Sequence, residues 1–209
     1  MPPPRAAFQA KLFDEPKRLP NGLVYRPNFI TEDEEEILLA MIENSPLSPT
    51  KYDIKSIGES VLTKRRAVWF SERAPAGLPR WLHPLQGRIA KWLDVPKHRL
   101  TSALINEYVP GSGMGWHRDN EEIEHVVGVS LAGWCTIGFR PYALEHKGDV
   151  VWLELERRSA YIMQGPVRWE YQHRVMPVTA LRYSITFRTA LSGTTQRVAR
   201  SAQSKSLRS

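Results

Sequence analysis

His117 and Asp119 stand two residues apart in INEYVPGSGMGWHRDNEEI, Ile105 to Ile123, just beyond a turn rich in glycine and proline. Residues i and i+2 of an extended backbone share a face, so this imidazole and this carboxylate can aim at one point. The glycines before them permit close backbone approach. Two ligands do not make a metal site, and an isolated H-x-D is usually incidental. A third arm is available from a distant segment, His173 in YQHRV. Two histidines and one carboxylate on an antiparallel scaffold form a facial triad that suits iron(II) and leaves coordination positions open.

A second pattern lies in LRYSITFRT, where Tyr183, Ile185 and Phe187 alternate with Arg182, Ser184, Thr186 and Arg188. An arginine-lined face behind an apolar one is costly inside a small barrel unless anions meet it. Six strand residues span roughly 20 Å at about 3.3 Å each. Two arginine arms leaning inward from those points can reach opposite ends of a small dicarboxylate, each gripping a carboxylate in bidentate fashion. Asn106 and Tyr108, again two apart, can add hydrogen-bond donors from a neighbouring face. The competing reading is an exposed edge strand with solvated arginines.

These side chains need a scaffold. After residue 100 the pattern becomes one of short strands: SALINEYV, HVVGVSLA, WCTIGFR, VVWLELE, AYIMQG, YQHRVMP and LRYSITFRT. Brief turns and no helical period separate them, which predicts a barrel or jelly roll. Two helices precede it. TEDEEEILLAMIEN carries a capping box, Thr31 with Glu34, and its acids crowd the first turn, where the helix dipole favours them. Ile37, Leu38, Met41 and Ile42 are its expected buried face. A second helix is expected over Pro84 to Leu93, with Leu85, Ile89, Trp92 and Leu93 inward. LVYRPNFI, before the first helix, reads as a short strand.

The chain has 209 residues, 42% of them hydrophobic, enough for one domain with a sizeable core. Residues 21–190 are expected to form it, between a flexible leader, 1–20, and a basic, disordered tail, 191–209. The single cysteine, Cys135, excludes an internal disulfide and fits a reducing compartment. With no signal-like or membrane-spanning apolar run, the expectation is a soluble, cytoplasmic monomer. The 29 Lys and Arg outweigh the 22 Asp and Glu, a balance that favours polyanion partners. Part of the excess sits in the tail, which reads as either a solvated end or a nucleic-acid contact arm.

NEYVPGSGMGWHRD, YQHRV and RYSITFR together resemble the AlkB family of iron(II)- and 2-oxoglutarate-dependent dioxygenases, whose pattern is N-x-Y, H-x-D, a distant H and R-x5-R. All these anchors occur in order from Asn106 to Arg188. The resemblance implies an α+β, β-rich fold: a double-stranded β-helix (jelly-roll) core over about 101–190, with N-terminal helices buttressing one side. It implies that His117, Asp119 and His173 bind iron(II) and form the catalytic centre. Arg182, with Asn106 and Tyr108, would hold the distal carboxylate of 2-oxoglutarate, and Arg188 would sit near the metal-bound end and Asp119. Oxygen and 2-oxoglutarate would be consumed, giving succinate, carbon dioxide and a hydroxylated carbon. Hydroxylation of an N-methyl group ends in formaldehyde and the free amine.

The resemblance further implies a substrate: an alkylated base of DNA or RNA, extruded into the pocket. TKRRAVWFSER, Thr63 to Arg73, is the expected recognition segment. Lys64, Arg65 and Arg66 would meet phosphates while Trp69 or Phe70 stacks on a base. An ordinary amphipathic strand with one of those rings in the core is the competing reading. Glu121 matches an acidic family position that can contact the exocyclic amine of a flipped base. The N-terminal third lies outside the resemblance. Hydroxylation or demethylation of proteins or small molecules therefore stays open, as does a non-enzymatic nucleic-acid-binding module.

Overall fold

The computed structural model describes residues 19–54, 59–72, 74, 77–143 and 150–191. The expected leader, up to Arg18, and the tail beyond Leu191 lie outside the described residues, as does Arg73. Among the described residues, eleven strands fall into two antiparallel sheets. In chain order they are β1 (Leu23–Arg26), β2 (Ser48–Ile54), β3 (Glu59–Ser71), β4 (Leu100–Tyr108), β5 (Met114–His117) and β6 (Ile123–Leu131). They continue with β7 (Cys135–Pro141), β8 (Val151–Leu155), β9 (Ala160–Met163), β10 (Tyr171–Val175) and β11 (Arg182–Ala190). The major sheet has the order β1-β9-β6-β11-β4-β3-β2 and the minor sheet β5-β10-β7-β8. This is the jelly roll that the short strands predict.

The alternation along β11 decides how the layers meet. The strand is central, with β4 on one side and β6 on the other, and residues 182–189 are buried on both faces. Tyr183, Ile185 and Phe187 join an apolar cluster with helices α1 (Glu32–Glu43) and α2 (His83–Leu93). Arg182, Ser184, Thr186 and Arg188 point the other way, into the space between the sheets. The solvated-edge reading of this strand is excluded.

Thr31 caps α1 as expected: its hydroxyl accepts from the Glu34 amide at 3.2 Å, and the Glu34 carboxylate accepts from the Thr31 amide at 2.9 Å. The buried stripe is different from the expected one. Leu38 and Ile42 are inside, but Ile37 is 62% and Met41 42% exposed, and Glu35 takes the third buried place. The cause is a bond made at a distance. The Glu35 carboxylate accepts from the Ala132 amide at 2.8 Å and from Arg157 Nε at 2.5 Å, and this rotates the helix by holding its acid against the β6–β7 turn. In α2, Leu85, Ile89 and Leu93 are buried as expected. Trp92 is half-buried, its ring 4.8 Å from that of Phe29.

Other boundaries moved. The strand expected over 23–30 stops at Arg26, where Pro27 and a left-handed Asn28 (φ 48°) turn the chain. Strands β2 and β3 extend the major sheet beyond the expected core. A short helix, α3 (Gly165–Trp169), starts at the last residue of the expected strand AYIMQG, and strand β5 supplies the extended backbone expected at His117. Among the described residues no helix is long and apolar enough to cross a membrane.

Candidate active site

Strand pairing brings the two histidines together. His117 on β5 lies opposite His173 on β10, with ring centroids 4.2 Å apart. Gly113 makes the approach possible, because a Cβ there would stand 2.6 Å from the Val175 carbonyl oxygen. A register shift between His173 and Val175 turns Met114 inward along with His117. Asp119 follows β5 and reaches the same space, its Oδ2 3.7 Å from His173 Nε2. Its Oδ1 accepts from Arg188 Nη2 at 3.0 Å and from Nε at 3.3 Å.

The protonation states suit a metal. Burial raises the Asp119 carboxyl, but Arg188 and then the two histidines outweigh it and hold the group at about 2. Burial, followed by the proximity of His117, pushes the His173 imidazole down to about 3. His117 Nδ1 donates to the Gly115 carbonyl at 2.8 Å, which leaves Nε2 as the nitrogen that a metal could take. A neutral His173, the His117 imidazole and an ionised Asp119 are a donor set that could hold iron(II). The three are neighbours rather than a closed cage. Ligand atoms about 2.1 Å from one metal lie roughly 3 Å apart, and among the described residues no trio of His, Cys, Asp or Glu meets metal-cage spacing.

The cavity beside them is lined by Asn106 and Tyr108 from β4, Tyr161 from β9, and Arg182, Ser184, Thr186 and Arg188 from β11. Arg182 is 2% exposed. Its Nε donates to Ser130 Oγ at 3.0 Å, and its guanidinium sits 5.1 Å over the Tyr108 ring. Among the described residues it has no ion pair. A buried, unpaired guanidinium is destabilising until an anion meets it. Among the described residues Arg182 Nη1, Arg188 Nη1 and Asn106 Oδ1 are buried with no hydrogen-bond partner, and the Asn106 amide can present either end. Burial raises the phenols of Tyr108 and Tyr161, so both stay neutral. The walls therefore carry two cationic groups and neutral hydroxyls, which fits a small dicarboxylate.

An open cleft of about 350 Å³ shares Arg188 with this cavity and is lined by Trp69, Ser71, Ser102, Asn120 and Glu122, among others. Trp69 is 51% exposed, and Arg188 lies 5.0 Å from its ring. Phe70, its neighbour, packs on the helix-side core. The reading that put one of these rings in the core therefore holds for Phe70 alone. The basic residues of β3 do not form one platform, because alternation divides them. Arg65 shares the face of Trp69, and its guanidinium is 6.0 Å from the Tyr108 ring. Arg66 is on the opposite face in a two-pronged pair with Glu107, both contacts 2.6 Å. Lys64 shares the face of Arg66 and is exposed. Glu121 is exposed and does not line the cleft; its neighbours Asn120 and Glu122 do.

Arg168, five residues before His173 in GPVRWEYQH, reads in the sequence as a residue that orients the turn. It is buried on α3, stacks 4.5 Å from Trp169, and donates to the Asn120 carbonyl, pinning the loop that carries Asp119. Nothing in the local sequence announces a bond to a residue 48 positions away. His125 is a satisfied histidine, its Nδ1 bonded to Thr189 Oγ1 at 2.9 Å. His146 lies outside the described residues.

A profile of the 2OG-Fe(II) oxygenase superfamily matches residues 61–188, from β3 to Arg188. The chain belongs to the 2OG-Fe(II) oxygenase superfamily. Its resemblance to the AlkB family is borne out by the relatives of this oxygenase. The tRNA (carboxymethyluridine(34)-5-O)-methyltransferase ALKBH8 of Macaca fascicularis is 27% identical over 172 residues, covering 77% of this chain and 25% of that protein. The chain thus spans about a quarter of that relative's length. The probable RNA/DNA demethylase ALKBH6 of Danio rerio is 26% identical over 177 residues, 78% of this chain and 72% of that protein. The solved structure of OsALKBH1 superimposes with a TM-score of 0.57 at 14% identity, covering 83% of this chain and 100% of that one, and this likeness speaks for the fold.

Proposed function

We propose that this 2OG-Fe(II) oxygenase oxidatively demethylates alkylated bases of DNA or RNA, with release of formaldehyde, succinate and carbon dioxide. The observation that carries the reading is the meeting of three features at Arg188. It holds Asp119 beside the two histidines, closes the dicarboxylate cavity, and forms the floor of the cleft under Trp69. When bound, iron(II) with 2-oxoglutarate and oxygen supplies the oxidant that hydroxylates a substrate C–H bond. His117, Asp119 and His173 would hold the metal. Arg182, with Asn106 and Tyr108, would hold the distal carboxylate of 2-oxoglutarate. Arg188 keeps one Asp119 oxygen occupied, so the carboxylate presents the other towards His173. Trp69, half-exposed at the mouth, would stack on the extruded base.

The printed name of the zebrafish relative, a probable RNA/DNA demethylase, supports the substrate class. So does that of the Arabidopsis thaliana relative, an alkylated DNA repair protein ALKBH8 homolog. A second reading, hydroxylation or demethylation of a protein or small molecule, gains from the division of the β3 arginines, which removes Arg66 from the substrate side. The buried, lone Cys135 supports a reducing, cytoplasmic setting.

The test is a panel of methylated DNA and RNA oligomers and methylated peptides, each incubated with iron, ascorbate and 2-oxoglutarate. Formaldehyde is expected from oligomers alone. Release from the peptides alone transfers the protein to the second reading.

A further inference from the structure

The outer face of the minor sheet carries a constellation that the candidate site does not use. Since His117 faces inward against His173, its neighbour Trp116 faces outward from β5. Arg174 on β10, Gly138 on β7 and Trp152 on β8 form one cross-strand row, with Arg140 two residues beyond Gly138. The glycine is what lets the indoles converge: a Cβ at 138 would stand 2.6 Å from Trp152 and 3.1 Å from Trp116. The two rings are 6.2 Å apart. Arg140 lies 4.2 Å and Arg174 5.5 Å from the Trp116 ring, and Arg118 continues the pattern 4.1 Å over Tyr142.

None of these three arginines has an acidic partner among the described residues. Arg140 donates to the neutral Gln172 side chain at 2.9 and 3.1 Å, and Arg118 to the Trp169 carbonyl at 3.3 Å. Arg174 Nε is buried without a partner. Against three guanidiniums the outward positions of the sheet offer one acid, Glu154, and the flanking rings stay open, Trp152 37% and Tyr142 49% exposed. Unpaired cations alternating with aromatic faces match a strand of phosphates and unstacked bases. An acidic peptide would satisfy the arginines and leave the rings unmatched.

We infer that this face binds single-stranded nucleic acid, taking the strand that flanks a base held in the cleft. The inference rests on the nucleic-acid reading of the site. Strand β5 carries both surfaces, His117 on one side and Trp116 on the other.

The experiment measures binding of labelled, unmethylated single-stranded RNA and DNA oligomers to the full chain across a salt series. It compares wild type, the double variant Arg140→Ala/Arg174→Ala, and Trp152→Ala. The double variant is expected to bind about tenfold more weakly, with a salt slope flatter by about 0.7 per lost phosphate contact. Trp152→Ala is expected to bind about tenfold more weakly at an unchanged slope. Thermal midpoints and decarboxylation of 2-oxoglutarate without nucleic acid should match wild type in both.

Wild-type affinity and slope in both variants overturn the inference. Polyglutamate displacing the oligomer as well as unlabelled RNA does so too, and reassigns the face to acidic peptides. The two readings separate cleanly. Formaldehyde from methylated oligomers with undiminished binding by the variants leaves the demethylase standing and removes this face. Lost binding in the variants with no formaldehyde from any oligomer does the reverse.

Discussion

Arg188 Nη2 stands 3.0 Å from Asp119 Oδ1, joining residues 69 positions apart in the chain. Both side chains are largely buried, so the pair works in a medium where an unpartnered charge is expensive. Second-sphere partners of this kind orient a metal ligand and tune its basicity. Arg188→Ala should therefore lower affinity for a divalent metal by about 10–100-fold. Titration with cobalt(II), followed by its absorption bands, checks this without turnover. Unchanged affinity would mean that Asp119 needs no such support.

His117→Ala, Asp119→Ala and His173→Ala should each abolish iron-dependent turnover while the folded chain survives. Circular dichroism and formaldehyde release measured on the same preparations decide it. Activity comparable to wild type in any one variant removes that residue from the triad.

Among the described residues Arg182 has no ion pair, and its Nη1 is buried without a hydrogen-bond partner. Arg182→Ala should raise the concentration of 2-oxoglutarate needed for half-maximal decarboxylation, by the equivalent of roughly 2–5 kcal/mol. An unchanged titration would falsify its assignment to the cosubstrate.

Trp69 and Arg66 should separate by assay, because they occupy opposite faces of β3. Trp69→Ala should cost roughly 1–3 kcal/mol of oligonucleotide binding with little change in the unfolding midpoint, since half of the ring is already in solvent. Arg66→Ala should leave binding nearly intact and cost about 1 kcal/mol of stability, discounted for the exposed half of the pair. Anisotropy and urea unfolding on both variants would expose a reversed pattern.

The same pair sets a pH dependence. The Glu107 carboxyl is held below its usual range, chiefly by its hydrogen bonds from Arg66. A depressed carboxylate adds stability that is fully present above its unfolded value, about 4.3, and is lost as pH falls through the folded value. Arg66→Ala should thus narrow its stability deficit below about pH 4, as measured by urea midpoints from pH 7 to pH 3. A deficit constant over that range would assign the effect to packing.

The sequence alone determined the parts of the site that obey a local period. His117 with Asp119 and Arg182 with Arg188 are separated by even numbers of residues, and Asn106 with Tyr108 likewise. Alternation on an extended strand therefore put the members of each set on one face before any partner was known. The capping box at Thr31 was equally local, since its two bonds span three residues.

Tertiary structure decided whatever depended on which strands pair and which buried group finds a partner. Register placed His173 opposite His117. Pairing of β3 with β4 set Arg66 against Glu107 and so divided a basic run that looks continuous on paper. Glu35 won a buried place over Ile37 and Met41 because two donors from elsewhere in the fold, the Ala132 amide and Arg157 Nε, satisfied its carboxylate, with Arg158 Nη1 3.7 Å away. Arg168 gained its role from a carbonyl across the site. Local spacing prescribes a side chain's direction relative to its own strand; only packing supplies the long-range partner that makes burying a polar group affordable.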